Sequence, residues 1–325
     1  MQFLLRILMF PETVASNVFI PYLRKLLILE LRRLGMSQTD IARLTGVTQA
    51  AVSKVLNKEY FHSEKVSGLD LAEQELKAVS KRIAKLLYNG NLNEAGYLAN
   101  RYWWLVAASG DACKAHERYG WRKSECFICT KVVYPELDVS RGLVMADLER
   151  ALLVLSSSEY FGFLIPEVMS NIAVAIPGAK SIYDVAAVPG RISRSKTNEV
   201  LYRRPEFGAS RHLGGILLSI NGKFRAVMNI RYDEVIRESL ISMGISFKEF
   251  SSEDYPSANP AASAAADLLE KCPDCRALVD VGGTNIESVV YLFGNRAIEV
   301  ANLAVSLGDL YYAVSVKYGK SLGNL

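Results

Sequence analysis

Ser37-Gln-Thr-Asp-Ile-Ala-Arg-Leu-Thr-Gly-Val-Thr-Gln-Ala-Ala-Val-Ser-Lys-Val-Leu-Asn57 decides how the first part of the chain folds. It reads as two short helices joined by a tight turn. Ser37 can cap the first, and Asp40 three residues on makes a shortened capping box. Ile41 and Leu44 face inward. Thr45-Gly46-Val47 is the turn, with Gly46 free to take positive φ. Thr48 can cap the second helix, in which Val52, Val55 and Leu56 form a buried stripe. Upstream, Leu23, Leu26, Leu27, Leu31 and Leu34 recur at helical spacing, and Gly35 ends that helix. Three helices sharing one apolar side predict a helix-turn-helix.

The outer face of the second helix carries Gln49, Ala50, Ser53 and Lys54, small or hydrogen-bonding side chains near a helix start. That chemistry suits base edges in a groove, with Lys54 and Lys58 near phosphates. Thr48 and, from the preceding helix, Ser37 and Gln38 complete the expected DNA-binding set. Local charge agrees: residues 21–58 hold seven Lys and Arg against two Asp and Glu, whereas the whole chain is only +4. A basic patch of this kind suits a polyanion, here a double-stranded DNA operator. An ordinary helical hairpin in a core would explain neither the charge nor the small outer residues. The segment resembles the helix-turn-helix of Cro/repressor-like archaeal regulators.

Working outward, 325 residues allow two domains, with room for a small third. Half the residues are apolar and 22% are charged, a globular composition. Mean hydropathy is +0.13, and no apolar run reaches the roughly 20 residues of a membrane span. Met1-Gln-Phe-Leu-Leu-Arg-Ile-Leu-Met9 mimics a signal peptide weakly, but Arg6 interrupts it and no small-residue cleavage site follows. Five cysteines are an odd, low count, which argues against a disulfide framework and for a reducing cytoplasm. The expected division is a DNA-binding head at 1–60, a helical connector at 61–137 and a ligand domain at 138–325.

In the connector, helices are expected at 70–88 and 92–108. The second carries Tyr97, Tyr102, Trp103 and Trp104, a stripe suited to core or dimer contact. Cys113-Lys-Ala-His116 and Cys126-Phe-Ile-Cys129 then form C-x2-H-x9-C-x2-C. Each pair can place two ligand atoms on one turn, and four close a structural tetrahedral zinc site. Two reduced pairs with an incidental histidine, or redox sensing by Cys126 and Cys129, are the alternatives. Cys272-Pro-Asp-Cys275 looks like another knuckle but has no partner pair.

From Ser140 onward the chain alternates short strands and helices, an α/β pattern. Strands are expected at 172–176, 185–188, 245–250, 279–281 and 289–292. Helices are expected at 140–155, 210–220, 232–243, 260–271 and 298–318. Three loops carry chemistry. Val188-Pro-Gly-Arg191-Ile192 puts an arginine after a turn. Phe207-Gly-Ala-Ser210-Arg211-His212-Leu-Gly214-Gly215 opens a helix with amides, a hydroxyl, a guanidinium and an imidazole, a set suited to phosphate. Asp280-Val-Gly282-Gly283 ends a strand in a Gly-rich turn, where α/β sheets hold ligands.

Pro166-Glu-Val-Met-Ser-Asn171-Ile-Ala, Pro177-Gly-Ala-Lys180, Asp184-Val-Ala-Ala-Val-Pro-Gly-Arg-Ile192, Phe207-Gly-Ala-Ser-Arg-His212 and Ala226-Val-Met-Asn229-Ile-Arg-Tyr232 follow in one order. This series resembles the ThiN-type thiamine-phosphate synthase domain of archaea. In enzyme members, the resemblance implies, the domain joins an aminopyrimidine diphosphate to a thiazole phosphate and releases pyrophosphate. A second branch joins the domain to a helix-turn-helix and resembles thiamine-responsive repressors. The resemblance adds Asn229 to the expected ligand set of Arg191, Ser210, Arg211, His212, Gly214, Asp280, Gly282 and Gly283.

The chain departs from the enzyme pattern at three places. Thr284-Asn-Ile-Glu-Ser288 stands where enzyme members tend to have Gly-Lys-Glu-Pro. Ser251-Ser-Glu253 replaces Asp-Arg-Arg, and Asn259-Pro-Ala-Ala-Ser263 replaces a Gly-Ser-Thr stretch. Lost cations weaken diphosphate binding and stabilisation of a leaving pyrophosphate most. The expectation is therefore a homodimeric repressor of thiamine synthesis or uptake genes, with thiamine phosphate or the diphosphate as effector and no catalytic residue. The alternative is an active synthase that also binds DNA, with His212 and Arg191 in catalytic roles.

Overall fold

The head is built on helix caps. In the computed structural model, which describes residues 10–57, 69–117, 120–284 and 286–317, α1 (Pro11–Val14) runs through a π-helical turn (Ala15–Phe19) into α2 (Ile20–Arg33). Then come α3 (Gln38–Thr45) and α4 (Gln49–Leu56). The Ser37 hydroxyl accepts from Asp40 N at 3.1 Å and donates to the Asp40 carboxylate at 2.6 Å. Thr48 Oγ1 accepts from Ala51 N at 3.2 Å. Gly46 ends α3 at φ +67°, a conformation costly for any residue with a Cβ. Ile28, Leu31, Ile41, Ala42 and Val52 form one buried cluster with Ala84. Inward Ile41 and Val52 are as the spacing predicts; Leu44 is only half-buried.

Helices α5 (Glu73–Tyr88) and α6 (Leu92–Ala108) follow, then the short α7 (Cys113–His116) and α8 (Ile128–Val133). Tyr102 and Trp103 are buried, with ring centroids 5.7 and 5.1 Å from that of Phe19. They are core residues, whereas Tyr97 is exposed. The expected zinc centre is not assembled. Among the described residues, no group of three or more His, Cys, Asp or Glu side chains is placed to hold a metal. Cys113 and His116 are buried on α7, Cys129 is buried on α8, and Cys126 is half-buried ahead of it. Burial pushes the Cys113 and Cys129 thiols up to about 11 and about 12. The two-residue spacings set each pair on a turn, but the nine residues between the pairs fix no distance.

The chain divides into two compact units, Met1–Ala146 and Asp147–Leu325, with the division inside α9 (Val139–Ser157). The expected boundary at residue 60 and Lys58 lie outside the described residues, as does Met1–Met9. Among the described residues no helix is long and apolar enough to cross a membrane.

The second unit is α/β. Its strands are β1 (Asn171–Ala175), β2 (Val185–Ala187), β3 (Ser193–Arg194), β4 (Val200–Leu201), β5 (Glu206–Phe207), β6 (Ala226–Arg231), β7 (Phe247–Phe250), β8 (Ala277–Asp280) and β9 (Val289–Gly294). Its helices are α10 (Arg211–Ser219), α11 (Glu234–Ser242), α12 (Pro260–Lys271) and α13 (Ala297–Lys317). Seven strands make one mixed sheet in the order β5-β2-β1-β6-β9-β8-β7, antiparallel except for β7 with β8; β3 and β4 pair apart. Central strands β1, β6 and β9 are buried on both faces, which explains the continuous apolar run of β9. Ala173, Val227, Leu278 and Phe293 pack on one face against Leu213, Ile216 and Leu217 of α10 and Ala264, Ala265 and Leu269 of α12. Alternation turns the intervening residues to the other face, where α13 packs against β6 and β9. Cys272 and Cys275 close a disulfide in the turn from α12 to β8. The turn brings the two α-carbons within 5.4 Å; this single local bond closes the pair read as a possible knuckle and is not a disulfide framework.

Candidate ligand-binding site

One end of the sheet gathers the start of β1, the ends of β2, β6 and β8, and the start of β9. Asn171, Asn229 and Tyr291 stand in register across β1, β6 and β9, so they share one face and floor the end of the sheet. Helix α10 starts above them. Between these elements lies a cavity of about 640 Å³, whose wall includes Met169, Asn171, Arg191, Ser210, Arg211, His212, Asn229, Asp280, Glu287 and Tyr291.

The α10 side is the cationic one. Ser210 caps the helix, its Oγ accepting from Leu213 N at 3.2 Å, while Gly214 N donates to Ser210 O at 3.1 Å. The amides of Arg211 and His212 precede the helical ladder and point out of it. The side chains of Arg191 and Arg211 line the same cavity, an arrangement chemically suited to an anion at a helix N-terminus. Gly214 does not line the cavity: it lies inside α10, where an added Cβ would touch Ile182 at 3.5 Å. Its role is close packing.

Arg191 is held from two sides. Its Nη1 donates to Val168 O, and its backbone sits at φ +69° after Gly190 at φ +75°. Met169, on the facing loop, is also left-handed at φ +65°. Two such residues each cost about 1–3 kcal/mol and cluster where surroundings fix a functional geometry. The surroundings are Asn229, whose Oδ1 accepts from Asn171 N at 2.8 Å and whose Nδ2 donates to Met169 O at 3.0 Å. Glu287 adds to this, accepting from Glu167 N at 2.9 Å and Val168 N at 2.8 Å. Asn229 therefore orients the 166–169 loop, and its amide group is engaged there.

His212 Nε2 and the Tyr291 hydroxyl are 3.0 Å apart. The His212 residue reaches solvent through the open cavity, yet its ring lies against the wall. Loss of hydration there, and then the nearby Arg191 cation, hold the imidazole below its ordinary 6.5. Burial, and then Asp280, push the Tyr291 phenol above its ordinary range. A neutral phenol beside a neutral imidazole can donate to Nε2, which leaves the ring proton on Nδ1.

Asp280 lines the cavity but is buried and engaged. Its Oδ1 accepts from Ser252 N at 3.2 Å and Gly282 N at 3.0 Å, and its Oδ2 accepts from Ser252 Oγ. Gly282, at φ +79°, and Gly283 form the turn beyond it and do not line the cavity. Tyr291 and Glu287 also line the cavity though the sequence did not single them out for it: a tyrosine inside a strand reads as core, and Glu287 as a lost-lysine position.

The head residues fall in the other unit. Ser37, Thr48, Gln49, Ala50 and Lys54 are exposed and Gln38 and Ser53 half-buried, with Ser53 Oγ accepting from Asn57 Nδ2 at 3.3 Å.

Residues 147–306 match the family described as thiamine-phosphate synthase ThiN. Thiamine-phosphate synthase ThiN of Methanothermobacter thermautotrophicus is 33% identical over 171 residues, which cover 50% of this chain and 90% of that protein. The bifunctional thiamine biosynthesis protein ThiDN of Methanocaldococcus jannaschii is 28% identical over 208 residues, 58% of this chain and 49% of that protein. Among solved structures, the C-terminal domain of a phosphomethylpyrimidine kinase matches 50% of this chain and 97% of its own at 25% identity, with a TM-score of 0.44. By the extent and identity of the match to its synthase relative, the chain belongs to the ThiN family through its α/β unit.

Proposed function

We propose that this chain is a DNA-binding transcription regulator whose ThiN unit senses thiamine phosphate. The observation that carries the reading is the pairing of one helix-start anion seat, at Ser210–His212 and Arg191, with a separate helical unit whose α4 turns Gln49, Ala50 and Lys54 to solvent. The phosphoryl group sits on the Arg211 and His212 amides and the two guanidinium groups. Each charge-assisted hydrogen bond contributes about 1.5–3 kcal/mol. The head takes a two-fold operator as a homodimer. Thiamine phosphate acts by binding the DNA-competent and DNA-incompetent states unequally. The genes controlled are those of thiamine synthesis or uptake.

A second reading has a specific support. His212 and Arg191 both line the cavity, and the curated relatives bear the names of biosynthetic proteins. On that reading the chain condenses an aminopyrimidine diphosphate with a thiazole phosphate. Incubation with both substrates separates the two: the regulator reading expects no thiamine phosphate beyond the blank, and turnover on the order of 1 s⁻¹ or faster overturns it.

A further inference from the structure

A second cavity, of about 600 Å³, opens in the helical unit. One wall is the continuous run of α1, the π-helical turn and α2, which contributes Glu12, Ser16, Ile20 and Arg24. Another is α6, from Leu92 through Gly96 to Trp103, and α5 adds Leu87. The lining is mostly apolar and open to solvent: Ile20 is 42% exposed and Leu92 is 55% exposed. Two charged residues stand on it, Glu12 and Arg24, and among the described residues neither forms an ion pair. Spaced by four, Glu12, Ser16, Ile20 and Arg24 share one face of their helical run. About 18 Å of helix rise separates the two charges.

We infer that this groove is the seam of the homodimer, occupied by the same helical run of a second copy lying antiparallel. A two-fold interface must be complementary to itself: if residue i of one copy meets residue j of the other, j also meets i. Glu12 and Arg24 lie equally far from the midpoint of the stripe, and so do Ser16 and Ile20. Antiparallel pairing about that midpoint sets each Glu12 against an Arg24 and each exposed Ile20 against a small Ser16. Gly96, on α6, leaves room for the incoming side chains, since an added Cβ there would meet nothing within 4 Å. A compact small molecule would answer one of the two distant charges and leave the other unmet, whereas a second copy answers both. Pairing also takes the exposed surface of Ile20 and Leu92 out of water. Leu44 and Thr45, which end α3 at the turn into α4, line the same groove, so the seam adjoins the turn that carries α4. This rests on the homodimer of the reading above and assigns its surface.

The test is sedimentation equilibrium on the full chain, without DNA or thiamine phosphate, for wild type, Glu12→Arg, Arg24→Glu, the double variant and Ile20→Asp. Circular dichroism and the melting temperature establish that each variant is folded. The two-fold repeats every contact, so a single reversal replaces two attractions with two repulsions and raises the dimer Kd by about tenfold or more. The double variant restores both pairs with their signs exchanged and returns Kd to within about threefold of wild type. Ile20→Asp sets a carboxylate into the apolar seam and raises Kd by about a hundredfold. A double variant as weak as the single ones overturns the inferred pairing. A dimer indifferent to every variant overturns this surface and leaves the homodimer to another. A wild type that stays monomeric, its groove taken by a small molecule or by the chain's own first residues, overturns the inference and the homodimer together. A dimer that behaves as stated but binds no selected duplex leaves the seam standing while the regulator reading fails.

Discussion

His212 Nε2 and the Tyr291 hydroxyl stand 3.0 Å apart, joining the start of α10 to the middle of β9. The contact couples the anion seat to the sheet floor, and it bears on how the pocket titrates. The folded imidazole titrates below 6.5. The unfolded chain therefore takes up this proton first as pH falls. The stability that the site contributes is complete above about 6.5 and declines as pH drops through and below it. Imidazole NMR titration of wild type should place His212 below a free histidine. Unfolding in urea should show a smaller loss from pH 7.5 to 5.5 in His212→Gln than in wild type.

Arg211 is exposed at the first position of α10. Removing its guanidinium should cost charge-assisted bonding to the phosphoryl group and little else. Arg211→Ala should weaken thiamine phosphate binding by about ten- to a hundredfold, or about 1.4–2.7 kcal/mol. Calorimetry reads this, and the melting temperature without ligand should stay within about 1–2 °C, as for most exposed substitutions.

Asn229 is buried, with both ends of its amide bonded to backbone. Asn229→Ala should leave Asn171 N and Met169 O without those partners and destabilise the α/β unit by about 1–3 kcal/mol. Chemical denaturation should show a lower midpoint with an unchanged slope. Ligand affinity should fall too, because the 166–169 loop holds Arg191.

Much of the architecture was legible because its signals are local. Ser210 capping α10, Pro260 at the start of α12 and the continuous apolar strand at Val289 all sit where periodicity and cap chemistry put them. The central strand β6 escaped as a strand, since Ala226-Val-Met-Asn-Ile-Arg231 mixes polar and apolar residues without alternation. The mixed, largely antiparallel sheet was also illegible, because pairing is set by contacts distant in sequence. At the site, cationic groups were readable from residue type. Asp280, also named from the sequence, lines the cavity, but the engagement of its carboxylate was not readable, because Ser252 is 28 residues away in sequence. Cysteine spacing suggested zinc but contains no distance between its two pairs.

Lys54 is exposed in the last turn of α4. On the proposed reading it meets a phosphate. Lys54→Ala should weaken binding to any duplex about equally and lower the slope of log affinity against log salt by about one. Fluorescence anisotropy across a salt series measures both.

The most direct measurement is the affinity of the full chain for a duplex selected from random DNA, with and without saturating thiamine phosphate. We predict a shift of about fivefold or more in apparent Kd, within the usual range of coupling between sites. The shift should be lost in Arg211→Ala, whose DNA affinity without ligand stays at the wild-type value. A selected duplex whose affinity is indifferent to thiamine phosphate, in a protein that binds the ligand by calorimetry, would contradict the account.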